Sequence, residues 1–391
     1  MNEFESLSRI TKNILIAIKA VVGIGPVALH QPLFDGNEWK YLKECLDTNY
    51  VSSVGPFVEK FERSIAAFTG AKNVIATVNG TSALHVALIL GGVKPNDEVL
   101  VPAFSFVATA NAVRYVGAFP HFVDIEERTL GIDCGKLKEY LQSITKMEHG
   151  FCINKVTGKK ISSIVPMHTF GHPVDLEGIL EIAEIFNLSV VEDAAESIGS
   201  KYKNQHTGTF GQLGVLSFNG NKTITTGGGG AILTNDDEIA EIARHLTTTA
   251  KIPHEWKYDH DEIGFNYRMP NINAALGYAQ MERIEIKIEK KRMLFKKYQK
   301  AFKNIPEIKI FEEPNSCLSN YWLQSIILRE DCSSHRDEIL NATNKFGFGT
   351  RPAWTPLNRL MPYLNSQTMD LQVTNSMWQR IINLPSGNMA E

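Results

Sequence analysis

The chain has 391 residues, 43% hydrophobic and 21% charged, with a formal net charge of −3. That length suits a large domain with a smaller companion and is ample for a sizeable core, and the near-neutral balance offers no basic surface to nucleic acid or an acidic membrane. Five scattered cysteines, Cys45, Cys134, Cys152, Cys317 and Cys332, contain no CxxC pair, which argues against a disulfide framework or a cysteine zinc site and fits a reducing, cytoplasmic setting with no metal.

Residues 13–29, NILIAIKAVVGIGPVAL, are apolar but broken by Lys19, two glycines and Pro26. The run is too short and interrupted to span a bilayer and has no clean cleavage site, so it reads as an amphipathic helix packed on the body or on a partner. A helix over 38–49, the turn VSSVGP and a helix over 56–69 follow, the last with Phe57, Phe61, Ile65 and Phe68 near helical spacing. Next come the strand VIATV, the turn NGTS and the helix ALHVALILGG. The unit repeats: strand VLVP, loop AFSF, helix ATANAVRYVG, strand PHFVDI. A helix over 135–145 and the polar insertion KMEHGFCINKVTGKK lead to the strand in ISSIVPMHTFG, the amphipathic helix LEGILEIAEIFN and the strand in LSVVEDAAES. GVLSFNGNK and GGAILTN supply two more strands.

Alternation of strand and helix over 73–234 predicts an α/β fold with a doubly wound, mostly parallel sheet. Beyond it lie a helix over 236–247, an aromatic-rich irregular stretch ending in GFNYRMP, a long linking helix over 271–303, and a smaller C-terminal α+β domain. The expected organisation is an N-terminal helical segment, 1–30; a large domain, 31–270; and the linking helix with the small domain, 271–391.

Ligands of such sheets bind just past the carboxyl ends of the strands. There the chain places Gly80, Thr81 and Ser82 at a helix start, a phosphate cradle or plain N-capping. It places Phe104 and Phe106 after VLVP, as ring-stacking groups or core, and His168 after IVPM, as an acid/base or a structural histidine. Glu192, Asp193 and Glu196 follow LSVV, where a carboxylate is costly to bury unless it meets a cation. Lys222 follows Ser217, the only charge between Gln212 and Leu233, and four glycines, Gly227 to Gly230, come soon after. By itself Lys222 reads equally as an ordinary loop lysine. Together, a phosphate cradle, an aromatic plate, an acid and an isolated amine meet the four needs of pyridoxal 5′-phosphate: phosphate, ring, pyridine nitrogen and aldehyde. On that reading the glycines let the backbone pass close beside the cofactor.

NGTSALH, PAFSFVATANAV, VEDAAES, SFNGNKTITTGGGGAI and GFNYRMPNINAALGYAQ resemble, in order, motifs of the DegT/DnrJ/EryC1/StrS sugar aminotransferases. The resemblance runs from about His30 to the end. It implies the fold-type I pyridoxal-phosphate aminotransferase architecture and a homodimer with shared active sites. Lys222 matches the lysine held to the cofactor as a Schiff base, Asp193 the partner of the pyridine nitrogen and Phe106 the stacking aromatic. Gly80, Thr81, Ser82 and Ser217 match the phosphate turn and its contacts, and Asn266 the asparagine that reaches the neighbouring subunit's phosphate. Glu196 stands where a glutamine is common near the 3-hydroxyl of the cofactor. Relatives with histidine in place of Lys222 are dehydratases; lysine favours transamination. ALHQPLFDGNEWKYLKECLDTNYVSSVGPFVEKFE and GTRPAWTPLNRLMPY resemble the branch acting on UDP-4-keto-6-deoxy-N-acetylhexosamines, with L-glutamate as donor and UDP-4-amino-4,6-dideoxy-GlcNAc as product. Asn358 departs from that branch's frequent histidine. His168, Arg268, Arg351 and Trp354 are the candidate substrate contacts. The alternatives are a GDP-4-keto-6-deoxymannose aminotransferase of the perosamine route and a non-catalytic pyridoxal-phosphate-binding regulator.

Overall fold

The computed structural model describes residues 4–387; residues 1–3 and 388–391, the outer ends of the first and last expected segments, lie outside the described residues. Helix α1 (Arg9–Val22) starts where the Ser8 hydroxyl accepts from the Thr11 N–H and stops at Gly23, whose φ is +82°. Ile10, Ile14 and Ile18 recur every four residues and are buried, so the helix needs a surface to cover. It finds one in its own chain: these residues join Leu294, Tyr298 and Phe302 in one apolar cluster. Two more helices, α2 (Glu38–Asp47) and α3 (Pro56–Thr69), precede the sheet. In α3, proline at the first turn starts the helix and Gly70, at φ +79°, ends it. Phe57 and Phe61 are buried, each contributing roughly 2–3 kcal/mol.

The main unit then alternates as predicted: β1 (Asn73–Thr77), α4 (Gly80–Leu90), β2 (Glu98–Pro102), α5 (Val107–Tyr115), β3 (Phe119–Val123), α6 (Cys134–Ile144). A hairpin, β4 (Thr145–Glu148) and β5 (Phe151–Asn154), leads to β6 (Lys160–Ile164), α7 (Leu176–Phe186) and β7 (Ser189–Asp193). The short strands β8 (Lys201–Tyr202) and β9 (Gln205–His206) precede β10 (Leu213–Ser217), β11 (Gly230–Thr234) and α8 (Asp237–Thr247). The large sheet has the order β1-β11-β10-β7-β6-β2-β3. Its strands β3, β2, β6, β7 and β10 are parallel, while β11 is antiparallel to both β10 and β1. The polar insertion is the β4–β5 hairpin, which adds to the sheet through β6.

The linking helix differs from expectation. It is two helices, α9 (Asn271–Met281) and α10 (Ile284–Phe302), broken at Glu282 and Arg283. Helix α9 packs its small face on α3; a Cβ on Gly277 would lie 2.6 Å from Thr226 and 2.7 Å from Phe61. Helix α10 turns away to bury Leu294, Tyr298 and Phe302 against α1 and the second sheet. No proline or glycine marks the joint; the two different packing surfaces impose it. That second sheet comprises β12 (Ile308–Ile310), β14 (Gln324–Leu328), β15 (Arg351–Pro352) and β16 (Ile381–Leu384), in the antiparallel order β12-β14-β16-β15, while β13 (Cys317–Leu318) pairs with β8. Helices α11 (Arg336–Lys345) and α12 (Gln372–Arg380) complete it. Just before β14, Tyr321 has φ +47°, and this kink turns Trp322 toward the large sheet.

Candidate active site

A cavity of about 320 Å³ opens at the carboxyl ends of β1, β7 and β10, where the strand-end rule places it. Its walls include Gly80, Thr81, Phe106, Asp193, Glu196, Ser217, Lys222, Trp322 and Trp354.

The β1 exit makes the first wall. The Asn79 side chain accepts from the Ser82 N–H at 2.7 Å and caps α4. The helix's first internal bond is Ala83 N–H to the Asn79 carbonyl, so the earlier N–H groups of Gly80 and Thr81 are available to an anion, aided by the helix dipole. The cap is therefore Asn79, not Thr81 or Ser82, and the Ser82 N–H is already spent. Gly80 is required sterically: a Cβ there would sit 2.9 Å from the Ser217 Cβ. Gly230 is required as well, since its Cβ would meet the Asn79–Gly80 peptide at 2.5–2.6 Å. Gly230 thus lets β11 pass against the start of α4, beside the turn that carries the Gly80 and Thr81 N–H groups.

The β7 exit supplies acid. Asp193 is buried; it accepts from the Thr109 hydroxyl at 2.7 Å and from the Ala195 N–H at 3.2 Å. Burial raises its pKa against those two donors. Among the described residues no cation is ion-paired with it, so it suits a cationic ring nitrogen. Glu196, one turn on, is also buried. Its Oε2 accepts from the Phe170 N–H at 2.9 Å and its Oε1 from Lys222 Nζ at 3.0 Å. Burial pushes its carboxyl up to about 7 despite the lysine.

Lys222 sits in the turn after β10, its N–H bonded to the Asn219 carbonyl at 2.9 Å. Its ammonium lies 3.9 Å from the centre of the Trp322 ring, and the Trp322 indole N–H donates to the Asn221 carbonyl at 2.7 Å. The amine is thus aimed between a carboxylate and an aromatic face, with the cavity before it. Phe106, 48% exposed, offers a ring to the cavity, and Trp354 lies 6.2 Å from it and 4.9 Å from Phe170.

Five expected residues lie off these walls. His168 is fully buried; its Nδ1 accepts from the Val174 N–H and its Nε2 donates to Glu192 at 3.1 Å, so it braces the sheet and does not face a substrate. Arg268 is committed to Glu62 at 2.8 Å and to the Ala76 carbonyl, which corrects its expected role as a substrate contact. Arg351 is exposed and bonded to Asn344 and the Thr350 carbonyl. Asn266 is exposed, and Ser82 is buried behind Asn79. Sequence reading missed Asn79, Thr109 and Trp322. The first was visible as an asparagine before a helix; Thr109 lies one turn into α5, and nothing local marked Trp322.

The donor set fits pyridoxal 5′-phosphate: free helix-start N–H groups with Thr81 and Ser217 hydroxyls for the phosphate, a buried acid for the ring nitrogen, and an amine for the aldehyde. On this sheet the arrangement defines a fold-type I pyridoxal-phosphate-dependent aminotransferase. The DegT/DnrJ/EryC1/StrS aminotransferase family matches over residues 32–390, and the chain belongs to that family. The GDP-perosamine synthase of Caulobacter vibrioides is 36% identical, covering 92% of this chain and 93% of the relative. The GDP-perosamine synthase of Escherichia coli O157:H7 is 37% identical with the same coverage. The crystal structure of a DegT DnrJ EryC1 StrS aminotransferase from Brucella abortus superposes with a TM-score of 0.81 at 30% identity, covering 90% of each chain. The protein is a sugar aminotransferase.

Proposed function

We propose that the chain transfers the amino group of L-glutamate to C4 of a nucleoside-diphosphate-linked 4-keto-6-deoxy sugar. The substrate of this reading is UDP-4-keto-6-deoxy-GlcNAc and the product UDP-4-amino-4,6-dideoxy-GlcNAc. The observation that carries the chemistry is Lys222 Nζ, held 3.0 Å from Glu196 and facing an open cavity. The resemblance of the segments around His30 to Glu62 and Gly349 to Tyr363 supports the UDP-linked sugar. A second reading, a GDP-linked 4-keto-6-deoxymannose, is favoured by the two perosamine synthases.

Bound pyridoxal 5′-phosphate supplies an aldehyde that takes up amines and a cationic ring that accepts the electrons of a broken C–H bond. The residues do the rest. Gly80, Thr81 and Ser217 would hold the phosphate, Phe106 would stack on the ring, and Asp193 would keep the proton on the ring nitrogen. Lys222, as a free amine, takes the proton from the α-carbon of the donor and returns it at the sugar carbon in the second half. Trp354, on the cavity wall, contacts the sugar nucleotide. Asn266, exposed at the end of its loop, serves the site of a second copy in a homodimer. A cytoplasmic location suits soluble nucleotide sugars. Among the described residues, no helix is long and apolar enough to cross a membrane.

A half-reaction tests the substrate. The enzyme carrying the amine form of the cofactor is mixed in turn with UDP- and GDP-linked 4-keto-6-deoxy sugars. Return of the aldehyde-form absorbance with the UDP sugar is expected. A response to the GDP sugar alone replaces the first reading with the second, and no response to either removes both.

A further inference from the structure

Glu196 stands where family resemblance places an amide, and an amide cannot take up a proton under these conditions. In this chain the residue is a carboxylate, buried, and its Oε1 is bonded to the one nitrogen that must change covalent state, Lys222 Nζ, at 3.0 Å. Among the described residues its Oε2 has only the Phe170 N–H, at 2.9 Å. Losing the ammonium would leave Glu196 a buried charge without a cation, which is strongly disfavoured. Asp193 differs: its two donors, Thr109 and Ala195, are neutral and stay in place.

We propose that Glu196 holds, as a carboxylic acid, the proton that Lys222 gives up when its amine joins the aldehyde of the cofactor. The balance closes inside the pair. The Lys222 ammonium carries three hydrogens. As the carbonyl C=O bond breaks and a C=N bond forms, two of them leave with the carbonyl oxygen as water. The third passes to Glu196. The pair is neutral before and after, and nothing is released to solvent. When an incoming amine displaces Lys222, the carboxylic acid keeps the proton close to the freed nitrogen.

The groups facing the pair agree with this. Asp193 at the end of β7 disfavours a second negative charge, and burial already lifts Glu196 to about 7 with the ammonium beside it. His168 lies behind Asp193. His30, on the Lys222 side, is held neutral by burial and by Lys291, and the Trp322 ring carries no charge. The inference rests on the aminotransferase class and not on the sugar, so a failed sugar panel leaves it standing and its own failure leaves the sugar reading standing.

The cofactor-free chain is loaded with pyridoxal 5′-phosphate at about pH 8.5, where Glu196 starts ionised beside the ammonium, and followed by infrared difference spectroscopy and proton counting. Wild type should gain a protonated-carboxyl C=O band that shifts in heavy water. The band should persist in Asp193→Asn and be absent in Glu196→Gln, and the Gln variant should release about one more proton per chain than wild type. No carboxyl band in wild type, a band lost in Asp193→Asn, or equal proton release by wild type and Glu196→Gln overturns the proposal. Should Glu196→Gln not fold, the wild-type and Asp193→Asn spectra decide it.

Discussion

Lys291 and Lys222 both point into the protein, and their surroundings differ in kind. Lys291, on α10, is fully buried and meets His30 Nε2 at 2.7 Å, the Ser386 carbonyl at 2.8 Å and the Trp322 carbonyl at 3.1 Å. Each of its possible donors has a fixed acceptor. It ties the opening segment, the kink before β14 and the last residues to one helix. Lys222, with 12% of its side chain exposed, has one carboxylate, one aromatic face and open space. A lysine whose hydrogens are all assigned to backbone and a neutral ring is a brace; one that keeps directions unassigned beside a carboxylate is available for chemistry. Both touch Trp322, one through its carbonyl and one through its ring.

Replacing each lysine should separate the two roles. Lys222→Ala is expected to reduce turnover by more than about a thousandfold while leaving the fold intact. Added cofactor should then give no lysine-bound visible absorbance; transamination at a normal rate would end the assignment. Asp193→Ala should follow at roughly 10²–10³-fold in kcat with weaker cofactor retention, measured by single-turnover kinetics and dialysis. Lys291→Met should instead act on stability, costing about 2–3 kcal/mol in urea unfolding through two orphaned carbonyls and the His30 nitrogen. Its kcat should stay within about threefold. A large loss of kcat with unchanged stability would reverse the comparison.

The same pair gives a pH prediction. Burial pulls Lys291 down from 10.5 to about 7. Between those values the unfolded chain binds more protons at this residue than the folded one, so the wild-type fold gains stability as pH rises through that window, on the order of a few kcal/mol. The deficit of Lys291→Met should therefore widen from pH 7 toward pH 10; a constant difference would mean that the lysine stays charged throughout. The smallest effect is expected at the rim. Trp354→Leu should raise the sugar-nucleotide KM about three- to tenfold with little change in kcat.

Legibility in the sequence follows the range of the interactions. Gly80, Asp193, Ser217 and Lys222 were readable because each sits at or shortly past the end of a short β-branched or apolar strand, and strand ends define ligand sites in this class of sheet. The reversed β11 was not readable, because a run of buried apolar residues looks the same in either direction. It runs backward because the chain returns through the glycine-bearing loop over 218–229 to pair with both β10 and β1. The α9–α10 break escaped because its cause lies in two distant partners. Arg268 and His168 misled for a related reason: their partners, Glu62 and Glu192, lie 206 and 24 residues away, and an arginine beside a motif looks free until its acceptor is known. Trp322 lies 101 residues from the Asn221 carbonyl that fixes it, and no local pattern could bring it to Lys222.

That tryptophan has a further consequence. Of the five tryptophans, Trp322 and Trp354 line the cavity, whereas Trp39 and Trp256 are 84% and 71% exposed. The Lys222 ammonium lies on the Trp322 ring, so converting that nitrogen from a cation to a bound, neutral group changes the field on the indole. Emission from the cavity tryptophans should therefore report, without a label, whether the amine is free or engaged, and the chain carries its own optical gauge of each half of the cycle.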